Sequence, residues 1–264
     1  MQTALTIAGS DPSGGAGVQG DLKTFAAFGV YGVSAITAIT VQNTIGVDQV
    51  VPLAADLVEA QIEAIAGDIA IHATKIGMLA TAAIVEAVAA AIADLDLPLV
   101  VVDPVLVSSS GQRLLDDDGV RALSELLPRA RVVTPNRPEA EALSGIRISS
   151  PERLREAARR IRDLGPRAVI ITGGHAADPE VVDLLLDDDE FHESRTARVD
   201  ARDAHGTGCA FASAVASGLA LGWTLVESAQ RAQQYVAGAI AHAPGIGRGR
   251  GPIDHFWERT RRDQ

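Results

Sequence analysis

The sequence predicts an α/β fold in which a mostly parallel sheet is covered by helices on both faces. Short apolar stretches without alternating polar residues recur along the chain, which is typical of strands buried on both sides. Segments with helical periodicity separate most of these stretches, and no change of composition marks a second domain. We therefore expect one domain over residues 1–264, with ligands bound beyond the carboxyl ends of the strands.

The individual elements follow from hydrophobic periodicity and from the positions of glycine and proline. The predicted strands cover residues 5–8, 32–41, 70–76, 99–102, 131–134, 168–172, 181–186 and 190–199, with a hairpin joining the last two. The predicted helices cover residues 18–28, 56–66, 81–94, 117–127, 138–143, 151–164, 206–221 and 224–242. Pro151 suits the first turn of its helix, and a glycine-rich tail closes the chain.

Composition limits the partners and the compartment. A hydrophobic content of 47% with only 3% aromatic residues predicts a large core of small aliphatic side chains. The net charge of −11 argues against nucleic acid or an anionic membrane as a partner. A single cysteine forms no internal disulfide and the start of the chain lacks a signal-peptide pattern, so we expect a cytoplasmic protein. The apolar segment 82–93 is interrupted by Glu86 and is too short to span a bilayer.

The segment HGTGC at 205–209 predicts an anion site at the start of a helix. Its glycines allow a tight turn, and the helix start supplies unpaired N–H donors and the positive end of a dipole. Gly206, Thr207 and Gly208 would thus suit a migrating phosphoryl group. A helix start can also lower the pKa of a thiol, which would make Cys209 available as a base. The alternative is an ordinary helix N-terminus.

A second glycine-rich segment, AGSDPSGGAG at 8–17, follows the first strand. It matches neither the dinucleotide-binding fingerprint nor the Walker A motif, which argues against a Rossmann dehydrogenase and a P-loop ATPase. Gly9 and Ala16 offer small walls to a flat substrate. Asp21 can orient a substrate hydroxyl or amine, or alternatively serve as a solvated acid in the first turns of the helix.

Other polar residues also follow predicted strands. The amide of Gln42 matches the ring nitrogen and exocyclic amine of an aminopyrimidine, although a turn role is the alternative. Met78 can form a polarizable wall against a ring or belong to the core. Asp103 and Glu139 offer oxygen ligands for Mg²⁺, and Asn136 can contact phosphate; ordinary loop or helix capping is the alternative for these residues.

Six motifs occurring in order from about residue 3 to 256 resemble bacterial hydroxymethylpyrimidine/phosphomethylpyrimidine kinases of thiamine biosynthesis. They are AGSDPSGGAG, QGDLKTF at 19–25, VQNT at 41–44, TKIGML at 74–79, TPN at 134–136 and HGTGC. The resemblance implies a ribokinase-like three-layer αβα sandwich and a homodimer. It also implies phosphoryl transfer from ATP to 4-amino-5-hydroxymethyl-2-methylpyrimidine and then to its monophosphate.

The resemblance also implies a role for each site residue. The pyrimidine would be surrounded by Gly9, Ala16, Asp21, Gln42, Met78 and Val105. Magnesium and the nucleotide phosphates would be held by Asp103, Asn136 and Glu139, with further nucleotide contacts from Thr172 and Arg248. Cys209 stands where ribokinase relatives commonly carry an aspartate base, beside the anion hole formed by Gly206, Thr207 and Gly208.

The sequence departs from the family pattern at several positions. Thr172 replaces a common lysine, Asp203 and Ala204 replace the more usual Asn-Thr pair, and Arg248 replaces a lysine with different donor geometry. The serine-rich loop at 104–113 can close over substrate or be an ordinary surface loop. Two other functions are compatible with these residues: a pyridoxal or pyridoxine kinase of the same superfamily, and a non-catalytic pyrimidine-binding protein. Gln42 together with Met78 favours the pyrimidine.

Overall fold

The computed structural model of the protein describes residues 1–107, 114–174, 179–199 and 205–262. The strands in these ranges are β1 (Thr3–Ser10), β2 (Tyr31–Gln42), β3 (Val47–Pro52), β4 (Ala73–Ile76), β5 (Val100–Val102), β6 (Val132–Val133), β7 (Ala168–Ile171), β8 (Glu180–Asp187) and β9 (Glu190–Ala197). The helices are α1 (Gly17–Ala27), α2 (Ala55–Ala66), α3 (Ala82–Asp94), α4 (Asp117–Leu126), α5 (Arg137–Ser144), α6 (Pro151–Arg162), α7 (Thr207–Ala220), α8 (Leu225–Ala241) and α9 (Trp257–Arg262). A 3₁₀ turn at Leu127–Arg129 follows α4.

All of these strands form one sheet in the order β3-β2-β1-β4-β5-β6-β7-β8-β9. The central strands from β2 to β7 pair in parallel. Antiparallel pairs add β3 at one edge and the β8–β9 hairpin at the other. The carboxyl ends of the parallel strands therefore meet at one edge of the sheet, which is where ligands bind in such folds.

Helices cover both faces of the sheet, so the molecule has three layers. Leu5 and Ile7 of β1 point into a core that also contains residues of α2, α3, α4, α5 and α6. Ala4, which precedes Leu5 and points to the opposite face of the strand, belongs to a core built with α1, α7 and α8. The predicted α/β class with a mostly parallel sheet and helices on both faces is thus confirmed.

Two elements were not predicted from the sequence, and five strands, β4 to β7 and β9, are shorter than predicted. β3 is an edge strand with partly exposed valines and a proline, so it lacks the continuous apolar pattern of the central strands. α9 is a short helix inside what we expected to be a glycine-rich tail. The strand predicted over 70–76 begins only at Ala73. Among the described residues, no helix combines the length and apolar character needed to cross a membrane.

Candidate active site

The α7 N-terminus is built to remain open. Gly206 precedes the helix with a φ of +86°, and no side chain of the described residues caps it. A Cβ at Gly206 would overlap the carbonyl oxygen of Gly15, so the loop after β1 packs directly against this turn. The first N–H groups of Thr207, Gly208 and Cys209 therefore form a donor set like that of anion sites at helix N-termini.

The side chain of Asp11 stabilises the conformation of the loop after β1. Its carboxylate accepts hydrogen bonds from the Ser13 hydroxyl at 2.7 Å and from the Ala16 N–H at 2.8 Å. Nε2 of His205 lies 2.8 Å from the same carboxylate. Burial alone would raise the pKa of Asp11, but the hydrogen bonds from His205, Ser13 and Ala16 lower it to about 2. The loop after β1 and the segment leading into α7 are thereby joined by an ionised carboxylate.

Cys209 lies in the first turn of α7 and is partly buried, and its charged neighbours are Lys75, Asp103 and Asp21. Burial, helped by the charges of Asp103 and Asp21, raises the pKa of this thiol to about 12, although Lys75 opposes the shift. The expectation that the helix start lowers the pKa of Cys209 is therefore wrong. Desolvation and neighbouring negative charge outweigh the helix dipole.

Asp21 lies beneath the site rather than in its wall. Its side chain is fully buried and forms a 2.9 Å ion pair with Lys75, which is also fully buried. Its carboxylate also accepts hydrogen bonds from the hydroxyls of Thr6 at 2.6 Å and Ser213 at 2.7 Å. These partners correct the expectation of direct substrate contact, because both carboxylate oxygens are already engaged. The network links α1, β1, β4 and α7 below the anion hole.

Asp103 and Glu139 form a pair of buried carboxylates at the ends of β5 and β6. Burial raises the pKa of both groups, and the charge of Asp103 raises that of Glu139 further. A Cβ at Gly208 would lie 4.0 Å from Oδ2 of Asp103, so this carboxylate faces the α7 N-terminus. Two buried carboxylates that repel each other beside an anion site are the donor chemistry of a Mg²⁺–phosphate site.

Asn136 and Thr172 are neighbours at the ends of β6 and β7, where they form an isolated parallel bridge. Asn136 is the N-cap of α5: its side chain accepts from the Glu139 N–H at 3.0 Å, and its own N–H donates to Glu139 at 2.9 Å. This capping box fixes the position of Glu139. Arg248 lies in the glycine-rich tail, where the N–H groups of its neighbours Gly249 and Arg250 donate to Thr44 beyond β2. Its contact with the nucleotide stays a prediction.

The predicted pyrimidine residues lie around the ends of β1, β2, β4 and β5. Met78 is nearly buried and packs so closely on Gly9 that a Cβ there would overlap its terminal methyl group. Val105 is half-buried two residues after Asp103. Gln42 ends β2, and its side-chain nitrogen lies 3.3 Å from Nε2 of His205. Of these residues, Gln42 reaches the segment before α7 through His205, and Ala16 in the first loop lies against Gly206.

A family model described as phosphomethylpyrimidine kinase matches residues 11–254. The chain belongs to this family. A hydroxymethylpyrimidine/phosphomethylpyrimidine kinase of Synechococcus elongatus is 46% identical over 256 residues, which is 96% of this chain and 97% of that protein. The thiamine biosynthesis bifunctional protein ThiED of Geobacter sulfurreducens is 46% identical over 255 residues, and the chain spans only 52% of its length. Among solved structures, an ADP complex of Bacillus subtilis pyridoxal kinase matches with a TM-score of 0.90, at 37% identity and over 98% of this chain and 99% of that one.

These comparisons confirm the phosphomethylpyrimidine kinase family and the ribokinase-like sandwich that the motifs predicted. Sequence reasoning gave no role to Lys75, although a lysine inside a four-residue buried strand signals a buried partner. It also gave His205 no function beyond local hydrogen bonding. Asp203, Ala204 and residues 108–113 of the predicted closing loop lie outside the described residues.

Proposed function

We propose that this protein transfers the γ-phosphoryl group of ATP to the hydroxymethyl group of 4-amino-5-hydroxymethyl-2-methylpyrimidine and then to the resulting monophosphate. The observation that carries the proposal is the open α7 N-terminus, which adjoins the Gln42–Met78 group on one side and the Asp103–Glu139 carboxylates on the other. A relative of nearly equal length carries this activity in its name, and a related kinase has been solved with ADP. The product would serve thiamine biosynthesis.

In the first transfer the hydroxymethyl oxygen forms a bond to the γ-phosphorus and loses its proton to solvent, while the bond to the β–γ bridging oxygen breaks and ADP leaves. In the second transfer a phosphate oxygen of the monophosphate is the nucleophile. The transition state is loose, so alignment and charge stabilisation matter more than the strength of a base. The N–H groups at Gly206, Thr207 and Gly208 would hold the equatorial oxygens of the moving group. We assign to Cys209 the contact with the substrate hydroxyl, since it lies in the first turn of the helix and directly follows Gly208, which faces Asp103.

Mg²⁺ fits the carboxylate pair at Asp103 and Glu139. Among residues 1–107, 114–174, 179–199 and 205–262, no group of three or more His, Cys, Asp or Glu side chains could hold a metal ion. The two carboxylates would therefore supply part of the ligand shell, and nucleotide phosphates and water the rest. When bound, the ion would neutralise charge on the phosphate oxygens. Asn136 and Thr172, which adjoin Glu139, would contact the nucleotide.

A pyridoxal kinase is the second candidate function, because the Bacillus subtilis pyridoxal kinase matches this fold with a TM-score of 0.90. One ADP-release assay separates the two candidates when hydroxymethylpyrimidine, its monophosphate and pyridoxal are compared. We expect both pyrimidines to exceed pyridoxal in kcat/KM. A preference for pyridoxal would reverse the assignment, and no turnover of any of the three would favour a non-catalytic binding protein.

Gln42→Ala tests the pyrimidine site separately. We expect this change to raise the KM for the pyrimidine at least about 10-fold, because a site that hydrogen-bonds its substrate loses specificity when a partner is removed. The KM for ATP should change little. Equal losses for both substrates would indicate a general disturbance of the site and contradict the assignment.

A homodimer and a cytoplasmic location complete the proposal. Ile39 and Val51 are 43% exposed and pair across β2 and β3, and Val41 on the same face of β2 is 50% exposed. An apolar face of this kind is typical of an interface. Sedimentation of the wild type should show a dimer, and Val41→Asp should shift it toward monomer. A wild-type monomer at micromolar concentration would contradict the dimer.

A further inference from the structure

Gln42 is half-buried at the end of β2, and both ends of its side-chain amide meet a group held by the protein. The end of the amide that is assigned as nitrogen lies 3.3 Å from Nε2 of His205. The oxygen end lies 3.4 Å from the hydroxyl of Thr40. Amide oxygen and nitrogen have nearly the same shape, so their assignment follows from hydrogen bonding. His205 and Thr40 therefore decide which end of Gln42 carries the oxygen.

Asp11 determines which atom carries the hydrogen in its contact with His205. Nε2 of His205 lies 2.8 Å from Oδ2 of Asp11, and both side chains are buried. The hydrogen bonds to Asp11 outweigh its burial and lower its pKa to about 2, so the carboxylate is ionised at neutral pH and can only accept. The hydrogen in this contact therefore belongs to Nε2 of His205. Nε2 then has no lone pair for an N–H donor, so the amide atom facing it must be the oxygen of Gln42, which shares the Nε2 hydrogen with Asp11.

Thr40 requires the same orientation. A hydroxyl group has one hydrogen, and Thr40 donates it to the carbonyl oxygen of Ser10 at 2.8 Å. Toward Gln42 the Thr40 oxygen consequently presents only lone pairs. The end of the amide that faces Thr40 must then be the NH₂ group. When the oxygen and the nitrogen of the Gln42 amide change places, its contacts with His205 and with Thr40 each pair a donor with an acceptor.

We infer that the pairs Asp11–His205 and Ser10–Thr40 lock the Gln42 amide with its oxygen toward His205, and that this lock selects a 4-aminopyrimidine against the corresponding pyrimidin-4-one. The inference rests on the proposed function. His205 directly precedes Gly206, so the accepting end of the amide faces the segment that leads into α7. In the substrate, the amine at C4 is next to the hydroxymethyl group at C5, which must point to the same place.

The orientation therefore matches the substrate atom by atom. The C4 amine donates to the Gln42 oxygen, and the ring nitrogen N3 accepts from the Gln42 NH₂ group. A pyrimidin-4-one presents a carbonyl and an N3–H at these positions, so an acceptor would face an acceptor and a donor a donor. His205 and Thr40 act through Gln42 and are positioning residues for substrate specificity.

The test compares kcat/KM for the 4-amino substrate and for 5-hydroxymethyl-2-methylpyrimidin-4-one by ADP release. We expect the wild type to prefer the amine by about 1,000-fold or more, as sites with buried polar partners do. His205→Phe should reduce that preference about 10-fold or more through the KM of the pyrimidine, without changing the KM for ATP. His205→Gln, whose amide N–H can replace Nε2–H, should restore most of it.

His255→Phe is the matched control, because His255 is also buried but lies near Gly20 of α1. We expect this variant to keep the wild-type preference. An unchanged preference in His205→Phe would overturn the inference, as would an equal loss in His255→Phe. Thr40→Val should lower the preference as well and provides a second variant if His205→Phe does not fold.

Nitrogen-15 NMR of His205 in the wild-type protein shows which ring nitrogen carries the hydrogen, and it needs neither a variant nor a substrate. A hydrogen on Nε2 at pH 7–8 supports it, and a population with only Nδ1 protonated overturns it. Absence of turnover with the 4-amino substrate in the wild type would instead contradict the proposed function. The two failures are thus distinguishable.

Discussion

Two glycines flank α7, and replacing each of them by alanine separates the anion site from the stability of the helix. Gly206 before the helix has a φ of +86°, and Gly222 after it has a φ of +84°. Alanine at either position would be strained by about 1–2 kcal/mol, because left-handed backbone disfavours a side chain. A Cβ at Gly222 meets nothing within 4 Å, whereas a Cβ at Gly206 overlaps the carbonyl oxygen of Gly15. Only the first substitution forces two backbone segments apart.

The size of the effect follows from that overlap. Relieving it requires the α7 N-terminus and the first loop to separate by about 1 Å, and a displacement of that size at reacting groups lowers rates about 100-fold. Loss of one fixed donor to a developing anion has a similar effect, about 100- to 1,000-fold in kcat. We therefore expect Gly206→Ala to lose at least about 100-fold in kcat, and Gly222→Ala to stay within about 3-fold of wild type.

The assay is ADP release with saturating ATP and hydroxymethylpyrimidine, with urea unfolding of each variant measured in parallel. We expect Gly222→Ala to lose about 1–2 kcal/mol of unfolding free energy with little change in rate, and Gly206→Ala to lose at least as much stability and also its rate. If Gly206→Ala is folded and keeps kcat within about 3-fold of wild type, the α7 N-terminus does not hold the moving phosphoryl group.

Three further predictions concern single side chains. Cys209→Ala should fold but lose about 100-fold in kcat, while Cys209→Ser should retain more activity because a hydroxyl can also position the substrate; equal losses in ADP release would refute the positioning role. Lys75→Met should lose about 3–5 kcal/mol of unfolding free energy, because Asp21 is left as an unpaired buried charge, and adding Asp21→Asn should recover most of it in urea titrations. Burial raises the pKa of Asp183 to about 6 from 3.8, despite a 2.7 Å hydrogen bond from the Gly173 N–H. The stabilising contribution of Asp183 is present below pH 4 and is lost as the pH rises through 6. Asp183→Asn should therefore gain up to about 3 kcal/mol of unfolding free energy relative to wild type between pH 4 and pH 8. A difference in unfolding free energy that does not depend on pH would contradict this.

The central strands and most helices could be predicted because each carries its own periodic signal. Val100–Val102 and Ala168–Ile171 are continuous apolar runs, which are typical of parallel strands covered on both faces. β3 could not be predicted in this way, since it pairs only with β2 and leaves its valines partly exposed. Edge strands depend on a neighbour for their hydrogen bonds, and a local pattern does not reveal that neighbour.

The sequence predicted which loops form the candidate site, but it did not predict the charge states of the side chains there. The glycine loops and the polar residues after each strand indicated where a phosphate would bind. The charge state of Cys209 depends on Asp103 and Lys75, which reach it from β5 and β4. Asp21 likewise pairs with Lys75, 54 positions away in the sequence. Such pairings are products of the sheet order, so the direction of a pKa shift could not be read from the helix start alone.

The start of α7 has no capping side chain among the described residues, and the same is true of α1 and α2. A capping side chain stands at the start of five other helices, namely Thr81 for α3, Asp116 for α4, Asn136 for α5, Ser150 for α6 and Thr224 for α8. Such a cap typically contributes about 1 kcal/mol. None of the described side chains provides one to α7, which begins at Gly206. A capping side chain would occupy the N–H groups that the phosphoryl group needs. The absence of a cap at α7, with the stability that a cap would contribute, is therefore consistent with an N-terminus that binds an anion.

The charges around that opening limit how a nucleotide can enter. Lys75 is already neutralised by Asp21, so it adds little net positive charge to the site. Asp103 faces the α7 N-terminus and adds negative charge there when ionised, and its charge, together with burial, raises the pKa of the neighbouring Glu139. A bare triphosphate would meet repulsion on this side. We therefore expect the nucleotide to arrive with a cation, which would account for two buried acidic side chains beside a site for phosphate.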